Sequence, residues 1–451
     1  MRSPQKISVL ILNWNGRKHL EACLPALRDQ KHPGFDWEVL VLDNGSWDDS
    51  VEWIEENHPE VRLLKSPVNL GFCAGNNRLA EEAQGDALVF LNNDTRPQTE
   101  WLAALADAFA SAPEDVAAVS GRIVDWEGER LDFARGALTF DGHAFQLDSG
   151  RPLGRVQIPA THSELLFACG GNMIIRRRSF LEAGGFDERY FAYLEDVDLG
   201  WRLWSGGERI LFCSEATVHH RSMASSQHLG NFNRGFLFER NAFLTASKNY
   251  EEGLWQEMMP SILLTLSHRT QTLLVQNNPG GEQFTVDPYA GLIANTAHRP
   301  SEGTSSPASS PSLPPPEPNA SPRLDLRRKL RDYGPKDFLK RGLRKATRRL
   351  LPNWLLEGDS QSPRLTDGRS MAQFRAMTQI FALLDENQER RRAIQARRQR
   401  SDREIFERFP LYLVPTYPGD ERLFTSAAFQ EWLPKDLPFE RCQLEDIMDL
   451  E

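Results

Sequence analysis

Four short apolar runs near the start of this chain each give way to Asn, Asp or Gly, and that repetition is the first sign of chemistry. Ile7–Leu12 is followed by Asn13-Trp14-Asn15-Gly16, and Trp37–Leu42 by Asp43-Asn44-Gly45-Ser46 with Asp48 and Asp49 close behind. Val61–Lys65 leads to Asn69-Leu70-Gly71-Phe72-Cys73-Ala74-Gly75-Asn76-Asn77, and Ala87–Leu91 to Asn92-Asn93-Asp94. These residue types favour turns, which explains any one loop. Four in succession, with carboxylates after the second and fourth runs, describe a cleft that hydrogen-bonds a polar ligand and can hold a divalent cation. Asp94 is the best metal candidate: a lone carboxylate suits Mg2+ or Mn2+ bridging a diphosphate, where phosphates and water supply most ligands. Asp43 stands where it can accept hydrogen bonds from a base or ribose. Asn44, Asn69 and Gly75 line the same loops and are candidate contacts to that ligand.

A second constellation lies further on. Gly170-Gly171-Asn172-Met173 and Gly184-Gly185-Phe186-Asp187-Glu188 precede Tyr193-Leu194-Glu195-Asp196-Val197-Asp198. Glu195, Asp196 and Asp198 open a helix, where an acidic side chain complements the helix dipole by ~0.3–1 kcal/mol. That accounts for one carboxylate better than for three, because like charges repel. A general base, or a pair fixing loop geometry, is the functional alternative. No Gly-x-Gly-x-x-Gly follows the first run and no Gly-x-x-x-x-Gly-Lys-Ser/Thr occurs anywhere. A dinucleotide oxidoreductase and a P-loop enzyme therefore lose most of their support.

The elements that must position these residues follow from hydrophobic periodicity. Leu20, Cys23, Leu24 and Leu27 fall on one helical face within 17–30, and further helices are expected at Asp49–Asn57, Gly71–Glu82, Thr99–Ala110, Arg178–Ala183 and Glu195–Ser205. Alternating strands and helices imply parallel pairing through crossovers, hence a doubly wound α/β sheet whose ligands bind at the carboxyl ends of its strands. Val116–Ser120, Ala137–Phe140 and Phe167–Ile175 read as further strands.

Length and composition bound the rest. The chain has 451 residues, 40% hydrophobic and 26% charged, which suits two or three globular units and excludes a fibre or a membrane bundle. The N-terminal apolar run reads as a buried strand rather than a signal peptide. Five dispersed cysteines form neither a disulfide framework nor a zinc ribbon, which suits a reduced, cytoplasmic setting. The net charge of −10 disfavours a general nucleic-acid binder.

Together these motifs resemble a family 2 glycosyltransferase with the GT-A fold, of the subgroup that includes rhamnosyltransferases of cell-envelope polysaccharides. The resemblance is carried over residues 7–249 by ISVLILNWNG, VLDNGSWDDS, NLGFCAGNN, VFLNND, CGGNMIIRRRSF, GGFDERYFAYLEDVDLGWRL, VHHRS and RNAFLTASKNY. It implies a GT-A (Rossmann-like) mixed, mostly parallel sheet with flanking helices, and an inverting sugar transfer from a nucleoside-diphosphate sugar to a glycan or lipid-linked acceptor. It also implies that Asp43 binds the base with Asn13 and Trp14 nearby. Asn93 and Asp94 would replace the usual Asp-x-Asp, with Asp94 on the metal. Asp196 would be the general base, Glu195 and Trp201 would shape the acceptor side, and His220 would approach the metal or diphosphate, with His219 as the alternative. Asn92 stands where many relatives carry Asp, which leaves one carboxylate for the cation.

The domain reading is a transferase domain over 1–250, a helical extension over 251–298, a Pro/Ser-rich linker over 299–322 and a charged, mostly helical region over 323–451. The linker has eight prolines and seven serines in 24 residues, too little apolar surface to offset the entropy of ordering. Residues 323–349 carry twelve Lys or Arg against three Asp. A basic amphipathic helix over 335–351 could lie on anionic lipid at the inner face of the membrane, or pack its apolar side on the catalytic domain. The rival reading for the whole chain is a catalytically degenerate nucleotide-sugar-binding scaffold.

Overall fold

The computed structural model describes residues 4–31, 34–221, 230–275 and 368–449, which form one compact unit. Its elements run β1 (Lys6–Asn13), α1 (Arg17–Arg28), β2 (Asp36–Asn44), α2 (Ser50–Asn57), β3 (Arg62–Ser66), α3 (Gly71–Glu82), β4 (Ala87–Leu91), β5 (Thr95–Pro97) and α4 (Trp101–Ala110). Next come β6 (Val116–Asp125), β7 (Leu131–Phe133), β8 (Gly136–Leu138), β9 (Ala144–Gln146), β10 (Asn172–Arg176), α5 (Arg177–Glu182), α6 (Glu195–Ser205) and β11 (Arg209–His220). The last are α7 (Gly230–Asn249), α8 (Glu252–Val275), α9 (Gly368–Ala382), α10 (Leu384–Arg397), α11 (Asp402–Arg408), β12 (Leu411–Leu413) and β13 (Phe439–Arg441).

The main sheet has the order β3-β2-β1-β4-β10-β6-β11-β5, with β7 beside β6. β1, β2, β3 and β4 pair in parallel, and β10 enters antiparallel between β4 and β6. Val9, Leu10, Ile11, Val89 and Phe90 are fully buried, because helices cover both faces and a central parallel strand then needs no polar side. The pairing of Asn13 with Asp43 brings the carboxyl ends of β1 and β2 level, and the pairing of Asn172 with Leu91 sets the start of β10 beside the end of β4. The cleft loops converge for that reason.

One segment differs from expectation. Phe167–Ile175 is extended only from Asn172, since Gly170 and Gly171 spend their backbone groups on neighbouring loops described below. The described part of the charged C-terminal stretch packs on the transferase core: Ile380, Ile405, Phe406, Leu411, Leu413, Phe424 and Phe429 join the same buried core as Ile7 and Trp201. Arg391 donates to the carbonyls of Ser247 and Tyr250, and Gln395 lies within reach of those of Lys248, Asn249 and Tyr250. Arg391 and Gln395 thus cap the end of α7, whose last carbonyls have no helical partner. The linker over 299–322 and the basic helix over 335–351 lie outside the described residues. Among the described residues no helix is long and apolar enough to cross a membrane.

Candidate active site

The site begins as a chain of amides across three strand ends. Asn93 Nδ2 donates to Asn13 Oδ1 at 2.8 Å, Asn13 Nδ2 to Asp43 Oδ1 at 3.3 Å, and the Ser46 N–H to Asp43 Oδ2 at 3.0 Å. A Cβ on Gly16 would fall 2.2 Å from Asn93 Nδ2 and 2.4 Å from Asn13 Oδ1, so only glycine lets this chain close. Burial raises the carboxyl of Asp43 above its ordinary value, and its bonds from Ser46 and Asn13 only partly offset that. Trp14 meets Trp47 edge-on at 5.3 Å between centroids, and Trp47 is half exposed, forming an aromatic wall near the same loop.

Asn44, Asn69 and Gly75 also hold the fold around these loops. Asn44 Nδ2 donates to Asn69 Oδ1 at 2.9 Å, Leu70 N–H to Asn44 Oδ1 at 2.9 Å and Gly71 N–H to Asn69 Oδ1 at 2.8 Å. The two side chains spend these groups on the entry to α3. A Cβ on Gly75 would lie 2.5 Å from Leu12 Cδ1, so this glycine seats α3 directly on β1.

The Asn92-Asn93-Asp94 turn carries the next group. Asp94 Oδ1 faces His220 Nε2 at 3.3 Å, while His220 Nδ1 faces Asp132 Oδ2 at 2.7 Å. Burial alone would lower the His220 pKa, but bonds to Asp132 and Asp94 outweigh it and raise the imidazole to about 10. Burial likewise pushes Asp94 up, and the bond and charge of His220 with the charge of His19 hold it below the usual carboxylate range. His220 thus stands between the carboxylates of Asp94 and Asp132, beside the candidate metal residue. His219 points to the other side, where Nδ1 meets the Trp126 carbonyl at 3.2 Å.

The acidic opening of α6 divides by function. Asp198 is fully buried and bound to Arg202 and Lys248, which ties α6 to α7. Asp196 accepts the Gly170 N–H at 3.1 Å and its neighbour Val197 N–H at 2.8 Å, and burial raises its carboxyl. Glu195 is buried, its Oε2 has no hydrogen-bond partner among the described residues, and burial with the charge of Asp196 pushes it up to about 8. Gly171 O accepts the Asn92 N–H at 3.2 Å, so the Gly170-Gly171 pair links the Asn92-Asn93-Asp94 turn directly to Asp196. Trp201 does not shape an acceptor side: it is fully buried and its Nε1 donates to Asp402 Oδ1 at 2.9 Å.

The model of Glycosyl transferase family 2 matches residues 8–184. The N-acetylglucosaminyl-diphospho-decaprenol L-rhamnosyltransferase of Mycobacterium tuberculosis is 30% identical over 242 residues, covering 49% of this chain and 78% of the relative. The chain belongs to glycosyl transferase family 2. A second similar protein of this kind, the O-antigen biosynthesis protein RfbC of Myxococcus xanthus, is 31% identical over 237 residues, half of this chain but 18% of that longer protein. The crystal structure of GalNAc-T7 with UDP, GalNAc and Mn2+ aligns at 16% identity and TM-score 0.45, over 60% of this chain and 51% of that one.

Three residues of this family 2 transferase site were not visible as such in the sequence. Asp132 comes from the short β7, Arg221 donates its N–H to the Asp94 carbonyl at 3.0 Å, and His19 rises from the first turn of α1. Burial lowers the His19 imidazole below its ordinary value, the pull of Asp94 notwithstanding, so it stays neutral, and its buried Nδ1 has no hydrogen-bond partner among the described residues. Nothing in the spacing of these residues points to their meeting.

Proposed function

We propose that this chain transfers a sugar, with inversion, from a nucleoside-diphosphate sugar to a hydroxyl of a glycan or lipid-linked acceptor in cell-envelope polysaccharide synthesis. The observation that carries the reading is the two-glycine bridge, which sets a half-buried carboxylate with a raised pKa beside the strand-end turn bearing Asp94. A general base works best when its pKa approaches the working pH, and burial moves Asp196 that way. Asp196 takes the acceptor hydroxyl proton, the acceptor oxygen bonds to the anomeric carbon, and the bond to the diphosphate breaks on the opposite face. Glu195, neutral at pH 7, keeps the pair at a single negative charge.

On the donor side Asp43 and Asn13, with Trp14, hold the nucleoside, and Asn93 and Asp94 face the diphosphate. The residues present fit a divalent cation held chiefly by phosphate and water: Asp94 supplies one hard, ionised oxygen donor, and His19 a neutral imidazole with a free buried nitrogen. When bound, Mg2+ or Mn2+ would stabilise the charge developing on the leaving diphosphate. His220, facing Asp94, would approach the cation or the diphosphate, and Arg221 adds positive charge there. A lipid-linked acceptor is favoured by the decaprenol-linked substrate in the name of the mycobacterial relative. It would bring the enzyme to the inner face of the membrane.

Thermal-shift screening of the full chain against UDP-, GDP- and dTDP-sugars, with and without Mn2+, tests this. One nucleotide should raise the melting temperature in a metal-dependent way. Asp94→Ala should remove the metal-dependent part, and Asp196→Asn should keep donor binding while losing transfer. A folded protein that shifts with none of them would be the degenerate scaffold.

A further inference from the structure

The loop that presents Glu195 and Asp196 holds a backbone its residues disfavour. Phe191, Tyr193 and Leu194 have φ of 65°, 72° and 66°. Such left-handed conformations in non-glycine residues cost on the order of 1–3 kcal/mol each and persist only where the surroundings over-determine them.

Here the surroundings grip consecutive carbonyls. Phe191 O accepts the N–H groups of Phe72 at 2.7 Å and Cys73 at 3.2 Å, at the start of α3. On the other side Asn241 Nδ2, from α7, lies 3.2 Å from Tyr190 O, 2.9 Å from Ala192 O and 2.8 Å from Tyr193 O. Arg240 Nη2 adds bonds of 2.8 Å to Arg189 O and 3.0 Å to Tyr190 O. Asn241 is fully buried, its Oδ1 accepts Arg240 Nε at 3.0 Å, and Arg240 Nη1 reaches Gln379 Oε1 of α9 at 2.8 Å. Its two amide protons are thus shared among three carbonyls, and a carboxylate at this position would set oxygen against oxygen. Arg240 and Asn241 open the RNAFLTASKNY segment, to which the transfer reaction itself assigns no task.

We infer that Asn241 is a positioning residue: with Arg240 and Gln379 behind it, it holds loop 190–194 so that Asp196 meets the acceptor hydroxyl. This rests on the reading of Asp196 as the base. The same loop touches α3, whose entry Asn44 and Asn69 tie to the nucleotide side, so the acceptor side and donor side share one frame.

The test uses the full chain with UDP-, GDP- and dTDP-sugars and Mn2+, reading donor affinity by melting temperature and turnover by nucleoside diphosphate release. Asn241→Ala should bind donor within about twofold of the parent while kcat falls about 100-fold, the loss a displacement of roughly 1 Å produces. Should Asn241→Ala fail to fold, Gln379→Ala decides, with the same kcat-selective loss expected and smaller. An unchanged kcat in the variant that decides, or a loss of kcat matched by the loss of donor affinity, would overturn the inference. Asp196→Asn runs in parallel: if it retains turnover, the assignment of the base has failed, whereas an inactive Asp196→Asn beside an unimpaired Asn241→Ala refutes the positioning role alone.

Discussion

Replacing Asp198 by Ala should separate folding from chemistry within one helix turn. Asp198 is 0% exposed and takes hydrogen bonds or charge from Arg202 Nη2 at 2.8 Å, Lys248 Nζ at 3.1 Å and Asn249 Nδ2 at 2.8 Å. Burial raises its carboxyl, and Arg202 with Lys248 more than reverse that, so it is ionised and paired. Removing it strands Lys248, 1% exposed, on Asp187, which Arg189 also claims. Breaking a buried pair from one side costs roughly 3–5 kcal/mol. Arg202 keeps the carbonyls of Ala183 and Gly185, which puts the value near the lower end, about 3 kcal/mol. Asp196→Asn removes a charge that burial already disfavours, and its amide oxygen can still accept the Gly170 N–H at the loss of the bond from Val197 N–H, so its cost should stay near about 1 kcal/mol. Urea unfolding followed by tryptophan fluorescence, beside turnover per folded molecule, separates the two. Asp198→Ala should lose stability and keep turnover within a few-fold, while Asp196→Asn should do the reverse. A loss under about 1 kcal/mol for Asp198→Ala, or equal losses in both variants, would refute the division of labour.

Two further outcomes follow from the packing. Glu195, raised to about 8 by burial and Asp196, has a folded pKa above its unfolded value, so its contribution is intact below about pH 4 and is lost as pH rises toward 8. Glu195→Gln should therefore gain urea stability over the parent by ~1 kcal/mol or more at about pH 8.5 and little at about pH 5, and equal midpoints at both would count against a strained carboxylate. Ending the chain at residue 275 removes Ile405, Phe406, Leu411, Phe424 and Phe429 from the core, at ~1.5–3 kcal/mol each, against a total stability of ~5–15 kcal/mol. The shortened chain should show no cooperative melt by circular dichroism, and a melt within a few degrees of the parent would show the C-terminal helices to be dispensable.

The doubly wound half of the molecule was legible because its signals are local. The runs at Ala87–Leu91, Gly71–Glu82 and Glu195–Ser205 have the same limits in sequence and structure, since hydrophobic period and turn residues suffice to mark them. The strand-end logic likewise brought Asn13, Asp43, Asn93 and Asp94 together before any coordinates. It did not show that Asn44, Asn69 and Gly75 also build the entry and seat of α3, since those bonds and close contacts join separate segments.

What the chain alone determined is thus the sheet, the cleft and the family. Only the tertiary structure decided what each polar residue does in it. Periodicity cannot tell whether a carboxylate opening a helix meets solvent, a lysine 50 residues on, or another acid, because the pairing of Asp198 with Lys248, of Trp201 with Asp402 and of His220 with Asp94 and Asp132 is a matter of distant segments meeting. The charge and accessibility of those groups follow from burial and partner together, and neither exists until those distant segments meet.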